Sequence, residues 1–95
     1  MIVVELTYKV SLEELDKHLV THREFLDEGY AKGLLYCSGP NDPRVGGFLL
    51  SASDDVAALE AFVKDDPFYI HDLADYKITR FDPVKAAPAF KASFL

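Results

Sequence analysis

Ninety-five residues make one domain, with a thin core: a chain this short buries only about 60–65% of the surface its unfolded form exposes. A hydrophobic fraction of 49% excludes a disordered chain, and a net charge of −6, with 16 acidic against 10 scattered basic residues, argues against nucleic acid as a partner. The apolar runs fall far short of the roughly 20 residues of a membrane span, no secretory signal opens the chain and Cys37 has no second cysteine to pair with, so we expect a cytoplasmic protein that binds no membrane.

The first element expected is a strand over Ile2 to Tyr8, rich in β-branched and aromatic residues. Ser11 followed by Glu14 reads as a capping box, in which the Ser hydroxyl takes the Glu14 amide and the Glu14 carboxylate reaches back. The helix so started carries a stripe of Leu12, Leu15, Leu19, His22 and Leu26, with Gly29 as its expected stop. A second strand is expected over Leu34 to Ser38, halted by Gly39-Pro40, and a turn over Asn41 to Arg44. A third strand runs from Val45 to Ala52, and its Gly46-Gly47 marks a bulge or a close backbone approach.

Ser53-Asp54-Asp55 then caps a helix whose apolar face is Val56, Leu59, Phe62 and Val63. Asp66-Pro67 opens a short turn or helix through Asp72, and Tyr76 to Phe81 forms the last strand. The expected division is a domain over 1–83 and a tail over 84–95, whose Phe90, Phe94 and Leu95 follow no clear period. The order βαββαβ, with a short turn between the middle strands, is the ferredoxin-like pattern: an α+β antiparallel sheet with two helices on one face. The strands carry apolar residues on both parities (Ile2 and Val4 alternate with Val3), which leaves an apolar sheet face uncovered and points to a homodimer through it. The tail is a candidate for reaching across to the partner.

His22 is the residue out of place. It lies roughly 60° from Leu19 on the apolar side of its helix, where an imidazole needs a polar partner. A structural histidine bonded to a carbonyl satisfies that need, and so does a proton carrier, because histidine titrates nearest neutrality. Asp66 likewise has two readings, a cap for the helix that Pro67 starts or a carboxylate that faces His22 and sets its tautomer; two oxygens allow both. Ser38 and Gly39 could offer backbone amides to an oxyanion, or simply end a strand. Tyr8, Tyr36 and Tyr69 could line an aromatic-binding cavity, although tyrosines so placed are often core. His18 and His22, four apart, could share a metal, but no third ligand is evident and no metal is expected. The glycine patterns of nucleotide cofactors are absent, so no cofactor is expected either.

Several marks occur in order between about residues 2 and 82: His22 on a helix, Gly33-Leu34-Leu35 eleven residues later, Ser38-Gly39-Pro40, Gly46-Gly47-Phe48 and Asp66-Pro67-Phe68. With these marks the chain resembles the YCII-related (YciI-like) family. The resemblance implies a ferredoxin-like fold of the dimeric α/β-barrel group, and it implies that His22 and Asp66 match the family's histidine and aspartate, proposed there as an active-site dyad. Some members of that family act in breakdown of chlorinated aromatic compounds. Two functions follow as expectations. One is a cofactor-independent enzyme in which a His22–Asp66 dyad isomerises, or eliminates halide from, a small cyclic or phenolic molecule held near Tyr8, Ser38, Gly39 and Tyr69. The other is a non-catalytic module that holds a small ligand in the same place.

Overall fold

The computed structural model describes the backbone of residues 1–94 and the side chains of residues 1–91. In chain order the elements are β1 (Ile2–Tyr8), α1 (Leu12–Asp16), α2 (Leu19–Ala31), β2 (Cys37–Pro40), β3 (Gly46–Ser51), α3 (Val56–Val63), α4 (Pro67–Ile70), β4 (Ala74–Arg80) and α5 (Pro88–Phe94). The four strands form one antiparallel sheet in the order β2-β3-β1-β4, the α+β arrangement expected from the sequence. Leu95, and the side chain of Phe94 with which the tail was expected to reach a partner, lie outside the described residues.

Period-two alternation builds the core. Ile2, Val4 and Leu6 of β1 are fully or almost fully buried, with Leu49 of β3 beside Val4. They pack under Leu15, Phe25, Leu26, Leu59, Phe62 and Phe68 from the helices. Each such side chain contributes about 1.5–3 kcal/mol on burial, so β1, at the centre of the sheet, is the rigid floor of the molecule. The opposite sheet face carries Val3, Leu50 and Phe48 on β1 and β3, with Glu5 between Phe48 and Lys77, and Thr79 and Lys77 on β4, so its apolar character is confined to the β1–β3 half.

The helical stretch expected from Ser11 to Gly29 is two helices, broken at Lys17 and His18. Ser11 caps the first of them by accepting from the Glu14 amide at 3.3 Å, while the Glu14 carboxylate accepts instead from Lys17 at 2.6 Å. Gly29 does not stop α2. It lies inside the helix because a Cβ there would stand 2.6 Å from Phe62 Cζ, and the left-handed residue that ends the helix is Gly33, at φ +72°. Leu34 and Leu35 give their amides to the Gly29 carbonyl, so they close the helix and pairing in β2 starts later. Gly39 and Pro40 therefore belong to the strand rather than ending it; β2 is an edge strand, which tolerates a proline. The close approach expected at Gly46-Gly47 is found: a Cβ on Gly46 would sit 1.9 Å from the Leu6 carbonyl oxygen. The tail, in which no period was legible, contains α5.

Candidate active site

Asp66 is the anchor of the site. Pro67 at the first turn of α4 presets the helical φ, and Asp66 takes the capping position before it. Its side chain is wholly buried, and three donors converge on it. Oδ1 accepts from the Phe68 amide at 3.0 Å and meets His22 Nδ1 at 2.8 Å; Oδ2 accepts from the Tyr76 hydroxyl at 2.5 Å. That set of partners fits an ionised carboxylate, which only accepts. Burial, and then the Asp66 charge beside it, push the Tyr76 phenol far above its ordinary range, so Tyr76 stays a donor at any ordinary pH. The cap and the histidine partner, which the sequence allowed together, are one carboxyl group doing both.

His22 projects from α2 onto this carboxylate and is itself buried, at 8% exposure. Its ring lies flat on Phe68, with centroids 3.8 Å apart and planes 3° from parallel, and Phe68 is fixed in turn by the edge of Tyr8 at 6.2 Å. Phe68 and Asp66 thus hold the imidazole on its face and at one nitrogen. A carboxylate at Nδ1 assigns the hydrogen to that nitrogen and leaves Nε2 as the one with a free lone pair. His18, one turn earlier, meets His71 instead: the two rings are tilted by 30°, with centroids 4.2 Å apart. It does not join His22 in a metal pair, and no cluster of three or more His, Cys, Asp or Glu among the described residues is arranged to hold a metal.

His22 and Phe68 form part of the wall of a partly open pocket of about 190 Å³. An apolar cavity near 150 Å³ accommodates benzene, so this one fits a single substituted ring. Leu6 and Leu49 of the sheet and Leu19 and Leu26 of α2 supply apolar walls. Of the residues singled out by sequence, Tyr8, Ser38 and Gly39 line the same pocket. Ser38 is held there by a short hydrogen bond between its hydroxyl and that of Tyr30. Asp66 stands behind His22, not in the wall. Tyr69 is outside the pocket: its ring packs against Tyr76, with centroids 5.6 Å apart, and is 43% exposed. The outward position follows from α4 being a single turn, in which burying Phe68 points its neighbour away.

Sequence reasoning missed Arg23 and Arg44, which also line the pocket. Arg44 comes from the β2–β3 turn and makes a two-pronged ion pair with Asp16 at the end of α1, which holds the Asp16 carboxyl below the usual carboxylate range. Arg23 follows His22 directly, and that adjacency to the suspect histidine was the available signal.

The fold and the site together define a small ferredoxin-like α+β domain with a buried imidazole–carboxylate pair at the edge of a ring-sized pocket. Residues 1–82 match the YCII-related domain, and the chain belongs to that family. No curated protein matches it. Among solved structures it is similar to 5-chloro-2-hydroxyhydroquinone dehydrochlorinase (TftG) from Burkholderia phenoliruptrix AC1100, in complex with 2,5-dihydroxybenzoquinone: 20% identity, 86% of this chain and 94% of that one covered, TM-score 0.69. At that identity the likeness is one of fold. No helix among the described residues is long and apolar enough to cross a membrane.

Proposed function

We propose that the chain is a small enzyme that moves a proton with His22 and uses no metal or organic cofactor, acting on a monocyclic, phenol-like molecule by elimination or isomerisation. The observation that carries this reading is the His22–Asp66 pair, buried at one end and reaching the pocket wall at the other. An imidazole whose Nδ1 is tied to a carboxylate is a general base at Nε2, and the carboxylate stabilises the imidazolium that forms. In an elimination, Nε2 takes a proton from the substrate, the electron pair left behind becomes a new double bond, and halide departs with the electrons of the carbon–halogen bond. The imidazolium then returns its proton to water. The activity of the similar dehydrochlorinase, and the ring-shaped ligand bound to it, support this class of substrate. Proton transfer of this kind needs neither a hydride carrier nor a phosphate site.

We propose further that the working form is a homodimer joined through the helix-free sheet face, where Phe48 is 45% exposed beside Val3 and Leu50.

The test is chloride release from a panel of chlorinated hydroquinones, read for the wild type and for His22→Ala. We expect His22→Ala to lower turnover at least about 100-fold while the protein stays folded. Full activity in that variant would leave the pair a structural feature and favour the binding module.

A further inference from the structure

We infer that the pocket selects ring compounds that carry a negative charge, a carboxylate, phenolate or enolate, and that Arg23 reads that charge; the inference rests on the reading of the pocket as a substrate site. The chain carries 16 acidic residues against 10 basic ones, yet the pocket lining contains Arg23 and Arg44 and no Asp or Glu. The two guanidinium groups are not equivalent. Arg44 is committed to Asp16 through both of its terminal nitrogens, which neutralises it and pins the β2–β3 turn to α1. Arg23 adds to the field at Asp16, but its side chain holds no hydrogen bond or ion pair among the described residues. One carboxylate thus faces two cations, and a positive charge is left over at the mouth.

Asp66, hydrogen-bonded to His22, is spoken for. It lies behind the His22 ring, wholly buried, with three hydrogen bonds on its two oxygens. The apolar walls lower the effective dielectric around a bound ring, so a guanidinium at the rim acts on an anion more strongly than it would in water. A guanidinium also presents a planar fork of donors that matches a carboxylate or a pair of adjacent phenolic oxygens. Arg23 and His22 are consecutive on α2, so an anion gripped by the first holds the ring against the second. The charge therefore orients the substrate as well as admitting it. A ring that already carries negative charge is also a better source of the electron pair that an elimination pushes toward the halide.

The experiment compares benzoate with benzamide, which have the same ring and shape and differ in charge, by isothermal titration calorimetry against the wild type, Arg23→Gln and Arg23→Glu. Wild type is expected to bind benzoate about tenfold or more tightly than benzamide, and that ratio is expected to shrink as salt is raised. Arg23→Gln brings the ratio close to one by weakening benzoate alone, and Arg23→Glu inverts it; Arg23 is exposed, so neither variant endangers the fold. A wild-type ratio near one, a ratio that Arg23→Gln leaves intact, or no binding of either compound overturns the inference. The acid/base reading is judged separately, on turnover by His22→Ala, so the two fail by different signs.

Discussion

Asp66 meets three partners, and its variants separate what each of them does. Asp66→Asn can keep an oxygen toward His22 and the Phe68 amide and turn its amide nitrogen to the Tyr76 oxygen, so the fold survives. What it loses is the charge that stabilises an imidazolium, and turnover is expected to fall about 10²- to 10⁴-fold with circular dichroism and mass unchanged. Asp66→Ala, in contrast, strands the buried Phe68 amide and the His22 Nδ1–H. Each stranded donor costs about 1–3 kcal/mol, and a clear drop in the urea midpoint is expected. Tyr76→Phe removes the third donor and has a signature in pH. Burial, and then the Asp66 charge, hold the folded-state pKa of the Tyr76 phenol above its ordinary value of about 10, so it adds stability that is fully present below about pH 10 and is lost as pH rises above that. Wild type should lose stability steeply in that alkaline range, and Tyr76→Phe should show a shallower slope from a lower starting point. Equal slopes in the two proteins would mean that neither burial nor Asp66 holds the proton on the phenol.

At the scale of elements, close backbone approach sets the tightest limit. A Cβ on Gly46 meets the carbonyl of Leu6, part of the central strand, and nothing there can move without parting β1 from β3. A Cβ on Gly29 meets the ends of Phe62 and Leu35, which can turn aside. Thermal denaturation should therefore rank Gly46→Ala as much the more destabilising, by several kcal/mol against about 1–3 for Gly29→Ala. These glycines also show what the sequence could tell. Strand order, the cap at Ser11, the start of α4 at Asp66-Pro67 and the odd placement of His22 were all legible, because each rests on local spacing or local chemistry. The end of α2 was not: a glycine that stops a helix and one that lets a neighbouring ring approach look alike until the partner, Phe62, is known. The start of β2 was lost in the same way, because Leu34 and Leu35 have strand-like side chains but spend their amides on the Gly29 carbonyl. In the site, His22, Asp66, Tyr8, Ser38 and Gly39 were singled out on sequence and fall in one place; Arg23 and Arg44 were missed because a surface arginine has no pattern of its own.

For the whole molecule, the chief expectation is association. Light scattering at micromolar concentration should return twice the 10.6 kDa of one chain, and Phe48→Asp should return the single mass by placing a charge in the apolar half of the open sheet face. A wild-type monomer would leave that face to some other covering. The molecule is also divided in its labour in a way that bears on its history. The carboxylate that orients the imidazole is the same group that starts α4, so position 66 answers to folding before it answers to chemistry and has little freedom to drift. Of the two arginines in the pocket wall, Arg44 answers to the fold through its ion pair with Asp16, whereas the exposed Arg23 side chain answers to almost nothing else. On the proposed function, a descendant of this protein could thus change what it accepts by altering one exposed side chain, Arg23, while Asp66 is inherited intact because the fold itself depends on it.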